Sequence, residues 1–200
     1  MALSFSVNWD YRCPFARNAH EHVVAGLRAG AQWEVTFGAF SLDQAHAAEG
    51  DPLVFDRPEE FPALFVNQAG IVVRDRFPDR FLDAHLALFE ARHDHGRDIR
   101  EREVVVGVLK EADLPVADIV AAIDDGWPLE TYRSEHLAWV GEHQAFGVPT
   151  FVHQGQAVFV RLMDRPRGDA DLAISTVERV VDLMSGWPQL NEFKHTSISR

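Results

Sequence analysis

The chain opens on a strict alternation. Leu3, Phe5, Val7 and Trp9 are apolar, and Ser4, Ser6, Asn8 and Asp10 between them are polar. A period of two is the pattern of a strand that turns one face to an apolar interior. The pattern stops at Cys13-Pro14. Proline fits the first turn of a helix, where its missing N–H would have no partner anyway. Phe15, Ala19, Val23, Ala25 and Leu27 then predict a helix closing near Gly26 or Gly30. Trp33, Val35, Phe37 and Ala39 alternate again, a second strand. Strand, helix and strand in this order are most simply parallel across a right-handed crossover.

From Arg57 to Asp113 the period lengthens. Pro58, Pro62 and Pro78 punctuate the segment, and Phe81, Leu82, His85, Leu86, Leu88 and Phe89 have helical spacing, as do Val104, Val105, Val108, Leu109 and Ala112. Pro115 and Pro128 read as first helical residues, followed by Ile119 and Ile123 and by Tyr132, Leu137 and Val140. Strand patterns return at Thr150 to His153 and Ala157 to Val160. Gln154-Gly155 between them predicts a tight hairpin, with Gln an unusual first turn residue. Asp169 caps a last helix whose buried stripe is Leu172, Val177, Val180, Val181 and Met184, and Gly186 with Pro188 stop it. Trp187, Leu190 and Phe193 are expected to pin the tail. The order is that of an α/β fold, βαβ followed by ββα, with an inserted all-helical domain. Residues 1–56 and 143–200 form the α/β unit and 57–142 the insertion.

Composition narrows the function. Acidic residues outnumber basic ones 31 to 19, a formal charge of -12. That field repels phosphate backbones and anionic membrane surfaces, so neither nucleic acid nor membrane is an expected partner. No signal-peptide pattern precedes Arg12, and the apolar run Val104 to Leu109 is far too short to span a bilayer. One cysteine forms no internal disulfide, which fits a reducing, cytoplasmic setting.

The candidate chemistry lies at that cysteine. Cys13 falls at a strand-to-helix junction, where unpaired amides and the helix dipole favour thiolate over thiol, while burial acts the other way. An accessible thiol of low pKa is the expectation. Ten histidines invite a metal reading, with His93-Asp94-His95 and His85 the densest group. Two ligands at a helix end do not make a site, and no metal is expected. His20 is expected on the surface, Trp9 and Trp33 in the core, and Phe15 as a wall of the substrate site.

Cys13-Pro14-Phe15-Ala16 between strand and helix, with Gly147-Val148-Pro149-Thr150 before the third strand, resembles the thioredoxin superfamily. Within it the chain is similar to the DsbA-like branch that includes 2-hydroxychromene-2-carboxylate isomerase and kappa-class glutathione transferase. Ala87-Leu88-Phe89-Glu90-Ala91 and Gly96-Arg97-Asp98-Ile99 resemble that branch's insertion. Trp9-Asp10, Arg165-Pro166-Arg167-Gly168 and Glu192-Phe193-Lys194 look most like its actinobacterial, mycothiol-dependent members. The resemblance implies a catalytic Cys13, an active-site loop of Pro14, Phe15 and Ala16, and a cis Val148–Pro149 bond. It also implies that Val148, Pro149 and Thr150 dock a substrate or a small thiol. Redox members generally carry a second cysteine where this chain has Ala16, so a mixed disulfide on Cys13 has no internal resolving thiol.

What remains is monothiol chemistry. An oxidoreductase would use glutathione or mycothiol as co-substrate on a small electrophile or disulfide, with no tightly bound cofactor. A thiol transferase or isomerase is the first alternative, since relatives commonly place Ser at the Cys13 position. A non-catalytic thiol- or peptide-binding member and a peroxide-sensing cysteine protein are the others. Dimers are common among the relatives, which leaves a homodimer open.

Overall fold

The computed structural model describes residues 2–192, 194 and 195; Phe193 lies outside them. Strand β1 (Leu3–Trp9), helix α1 (Pro14–Arg28) and strand β2 (Trp33–Ala39) form the expected unit, with β1 and β2 parallel from Leu3 opposite Trp33 to Trp9 opposite Ala39. Seven-residue registry of this kind is fixed by the apolar side chains that both strands turn to the same interior. A single-turn helix α2 (Leu42–Ala45) follows, then α3 (Leu64–Arg76), α4 (Pro78–His93), α5 (Arg102–Glu111), α6 (Val116–Asp124) and α7 (Trp127–His143). Strands β3 (Thr150–His153) and β4 (Gln156–Phe159) and helix α8 (Ala170–Gly186) complete the chain. The sheet order is β2-β1-β3-β4, with β3 antiparallel to both neighbours. This is a mixed α/β fold of the thioredoxin type with helices α2 to α7 between β2 and β3.

Two hydrophobic cores meet at the C-terminal end of β1. Phe5 and Val7 of β1, Val23 of α1, Trp33 of β2, Phe151 of β3 and Val177 and Val181 of α8 make the first. Trp9, Tyr11, Ala39 and Phe40 join the second, built mainly by α3 to α7 through Leu64, Ile71, Leu88, Phe89, Ile119 and Tyr132. The polar positions of β1 record this junction. Ser4 is exposed and Ser6 half-buried, but Asn8 and Asp10 are fully buried, because both faces of the strand are covered at that end.

Some expected details move. Pro115 is the N-cap residue of α6, and Pro128 lies one residue inside α7, which Trp127 begins. Asp169 does cap α8, accepting from the Leu172 amide at 2.9 Å, but Leu172 itself is exposed and Ala173 takes its place in the buried stripe. Trp187 is 56% exposed and does not pin the tail.

The β3–β4 turn explains its sequence. His153 pairs with Gln156, leaving Gln154 and Gly155 as a two-residue loop, and both have positive φ, 49° and 77°. Two left-handed residues make the turn whose twist suits a hairpin. Gly155 adopts that region freely, whereas Gln154 pays a steric cost that Asn tolerates better. Gln154→Asn should therefore stabilise the fold, by about 0.5–1 kcal/mol, read as a higher urea midpoint with unchanged slope. A lower midpoint would contradict this account of the turn.

Candidate functional site around Cys13

Cys13 is the N-cap residue of α1, with extended backbone at φ -88° and ψ 119°. The turn that delivers it is held by Asp10. The Asp10 carbonyl accepts from the Cys13 amide at 3.0 Å, and its carboxylate accepts from the Arg12 amide (2.9 Å), the Arg12 guanidinium (3.0 Å) and the Leu42 amide (2.9 Å). Arg12 also reaches Asp43 on α2 at 2.6 Å. A buried carboxylate accepting this many N–H groups is satisfied, and it locks the chain from β1 into α1.

The structure brings Cys13 to the loop before β3. Its Sγ donates to the Val148 carbonyl at 3.3 Å, and the Val148–Pro149 peptide is cis. Asn8 fixes that loop: its Oδ1 accepts from the Thr150 amide at 2.6 Å and its Nδ2 donates to the Gly147 carbonyl at 3.3 Å. The Thr150 hydroxyl closes the turn on the same Gly147 carbonyl at 2.8 Å. Of the motif residues on α1, Pro14 is exposed, Phe15 half-buried and Ala16 fully buried. The Arg161 guanidinium lies 5.6 Å from the Phe15 ring and 5.9 Å from Phe159, which packs on the 72% exposed Phe146 at 5.1 Å. An aromatic rim thus runs from the start of α1 to the residue just before Gly147.

The thiol itself departs from expectation. Cys13 is 8% exposed, and burial pushes its pKa above the ordinary thiol value. The Ala16 and Phe15 amides pull the other way and lose, and nearby Asp10 adds to the rise. Desolvation of a sulfur anion outweighs the helix terminus here, so the resting group is a thiol and not an accessible thiolate.

Sequence reasoning missed a buried polar chain behind the site. The Tyr11 hydroxyl meets His85 Nδ1 at 2.7 Å, His85 Nε2 meets His20 Nδ1 at 2.9 Å, and His20 Nε2 meets the Asn8 carbonyl at 3.0 Å. Since a carbonyl only accepts, one proton arrangement satisfies all three bonds: Tyr11 donates to His85, His85 to His20, and His20 to Asn8. Both rings are neutral and completely buried, so His20 is not a surface residue. Burial holds His20 down at about 4 and pushes His85 well below the ordinary imidazole value, with His20 and Arg74 adding to the effect on His85. A signal was present: His20 lies four residues after Ala16 and three before Val23, on the stripe that α1 buries, and His85 lies four after Phe81 and four before Phe89 on that of α4. His93 bonds the Tyr11 carbonyl at 3.0 Å, and Asp94 pairs with Arg17 at 2.7 Å and Arg165 at 2.9 Å. Among the described residues no group of three His, Cys, Asp or Glu side chains converges on a common point.

A model of the DSBA-like thioredoxin domain matches residues 6–166. The chain belongs to the DSBA-like thioredoxin family. Among solved structures, the cytosolic disulfide reductase DsbM from Pseudomonas aeruginosa superposes with a TM-score of 0.60 at 17% identity, covering 90% of this chain and 100% of that one. A 2-hydroxychromene-2-carboxylate isomerase superposes at 0.62 and 12% identity over 92% and 98%. ScsC from Proteus mirabilis does so at 0.59 and 15% identity over 94% and 86%. At such identities the likeness establishes the fold, which is shared by a reductase and an isomerase. No curated protein matches the chain. No described helix is long and apolar enough to cross a membrane.

Two outcomes follow from these shifts. The pH midpoint for alkylation of Cys13 by iodoacetamide should lie above that of a free thiol, near 8.5, and a midpoint below it would mean that the helix terminus prevails. For His20, and for His136, whose Nδ1 accepts from the Ser41 amide at 3.1 Å and which burial also holds at about 4, the folded pKa lies below the unfolded value near 6.5. The unfolded chain therefore takes up protons first as pH falls, and the stability they contribute is complete above about 6.5 and drains away toward pH 4. At pH 5 each should cost about 2 kcal/mol, seen as a falling urea midpoint; a flat profile from pH 7 to 5 would contradict neutral burial.

Proposed function

We propose that this protein is a small-thiol-dependent oxidoreductase that works through the single thiol of Cys13. The observation that carries the reading is the contact of Cys13 with the Val148 carbonyl at the start of α1, with Ala16 where a resolving cysteine would stand. A small thiol, glutathione or mycothiol, docks along Val148, Pro149 and Thr150 with its sulfur toward the first turn of α1. In the exchange the Cys13 sulfur attacks one sulfur of a disulfide, a new Cys13–S–S bond forms, and the other half leaves as a thiolate. The docked thiol then attacks the substrate's sulfur in that mixed disulfide, restoring Cys13 and leaving as a disulfide with the first half. The setting is a reducing, cytoplasmic one, and no cofactor is held between turnovers. The neighbouring reductase and isomerase folds support activity of this general class.

A second reading is favoured by the raised pKa of Cys13. A thiol that keeps its proton can turn its S–H from the Val148 carbonyl to the sulfur anion of a docked thiol, as a hydroxyl would. The amides of Phe15 and Ala16 face the same place, and the protein would then be a thiol transferase or isomerase of the kind related folds support.

Cys13→Ser separates the two. Under the first reading it abolishes thiol-dependent disulfide reduction, by at least about 10³-fold, because no covalent intermediate forms. Retained turnover in the serine variant would move the assignment to the second. Turnover of the parent should require added small thiol, whereas Ala16→Cys, one helical turn from Cys13, should gain an internal disulfide and weak dithiol activity. Reduction of protein disulfides by the parent with no small thiol present would rule the monothiol mechanism out.

A further inference from the structure

An open groove of about 510 Å³ lies at the start of α1, lined by the chain neighbours of Cys13 and not by Cys13 itself or by the docking loop at 148–150. Arg12 and Pro14, the two neighbours of Cys13, form one side. Arg92, His93, Gly96, Arg97, Asp98 and Arg100, at the end of α4 and in the loop before α5, form the other. Four guanidiniums face one carboxylate in a chain whose net charge is -12. The carboxylates that hold Arg12 and Arg97 in place, Asp10, Asp43 and Glu111, are not part of the lining. They act from behind and fix the direction of the guanidinium N–H groups. Only Arg100 is paired inside the cavity, with Asp98 at 2.6 Å, and Arg92 has no carboxylate within 4.0 Å among the described residues. His93, spent on the Tyr11 carbonyl and held neutral by burial, adds a ring edge without a charge.

Three of the four guanidiniums already have carboxylate partners, and Arg92, which has none among the described residues, leaves positive charge in the groove for an added anion to meet. Guanidiniums supported from behind, with N–H donors left over, are suited to planar, two-oxygen anions. We infer that this cavity receives the carboxylate, or an equivalent anionic group, of the disulfide or electrophile that reacts at Cys13. The second substrate is thus a small organic acid, its anionic end among the arginines next to Arg12 and Pro14 and away from the small thiol on Val148–Thr150. This rests on the assignment of chemistry to Cys13 and adds the substrate's charge and the place of its anionic end.

The test compares two aromatic disulfides that transfer an arylthio group to Cys13 and release a chromophore, a thiolate from the first and a neutral thiopyridone from the second. One is the dianionic 5,5′-dithiobis(2-nitrobenzoic acid) and the other the uncharged 4,4′-dithiodipyridine. The rate ratio of the first to the second, divided by the same ratio for N-acetylcysteine, should exceed one for this protein and fall as sodium chloride is added, since the attraction is screened. Arg92→Gln with Arg100→Gln should lower the ratio about tenfold, the loss of charged hydrogen bonds to a carboxylate. Arg179→Gln, exposed on α8, should leave it unchanged. A ratio equal to that of N-acetylcysteine, insensitive to salt and to the paired variant while the uncharged reagent still reacts, would overturn the anion site and leave the chemistry of Cys13 standing. Failure of both reagents to label Cys13 would overturn that chemistry, and this inference with it.

Discussion

The carboxamide of Asn8 is fully buried between β1 and the turn that precedes β3, and a buried amide is tolerated only when its groups are paired. Both ends are paired to the same loop, Oδ1 to the Thr150 amide and Nδ2 to the Gly147 carbonyl, while the Asn8 backbone carbonyl takes the proton of His20. Rotating the amide would set donor against donor and acceptor against acceptor, so the loop has one seat on the strand. Because β1 runs directly into the turn that presents Cys13, the same residue fixes sulfur and Val148 carbonyl relative to each other. The polar chain through His20 and His85 to Tyr11 extends this constraint into the helices between β2 and β3. An exchange at Cys13 thus inherits its geometry from a network that never touches the sulfur.

That rigidity has an electrostatic cost. Sealing the loop over the start of α1 buries Cys13, and burial outweighs the amides of Phe15 and Ala16 in setting its proton affinity. A lone sulfur anion at this position is less stable than in water. Under the proposed function the first-turn amides would receive an incoming ligand's sulfur, and Cys13 would supply either the nucleophile once the loop contact is exchanged or a fixed S–H donor. Either route would need a small thiol brought from outside, which suits a site without a second cysteine.

The fold was legible in the sequence where one physical rule dominated. The alternations at Leu3–Trp9 and Trp33–Ala39, the Gln154-Gly155 turn and the Asp169 cap each express a local preference that packing did not override. The position of Cys13 beside Val148 came from resemblance, since nothing in local spacing joins residues 13 and 148. What escaped notice depended on long-range satisfaction of polar groups. Asn8 and Asp10 sit on the polar side of an alternating strand and look solvent-facing until the covering loop and Leu42 are in place. The spacing of His20 and His85 on apolar stripes signals burial, but the hydrogen-bond partners that make burial tolerable lie on other elements and leave no local trace. The thiol's proton affinity was misjudged for the same reason: the helix terminus is local and visible, while desolvation is set by residues far along the chain.

Arginine supplies nearly all the positive charge, with Lys110 and Lys194 the two lysines among the 19 basic residues. A planar guanidinium fixes direction where an ammonium fixes only distance. Arg165 reaches Glu21 on α1 through Nε and Nη2 and Asp94 after α4 through Nη1 and the same Nη2, and Arg17 reaches Asp94 as well. Arg74 joins Glu135 of α7 to the Phe37 carbonyl of β2 while lying over the Trp9 ring at 5.4 Å. As energies such partly exposed pairs are worth little each. As braces they hold α1, the end of α4 and the segment after β4 in one relation, and these are the elements that wall the site on both sides of Cys13. The carboxylates at the site, Asp10, Glu21 and Asp94, are each held by a guanidinium, of Arg12 or of Arg165, so the field there is set by fixed local pairs.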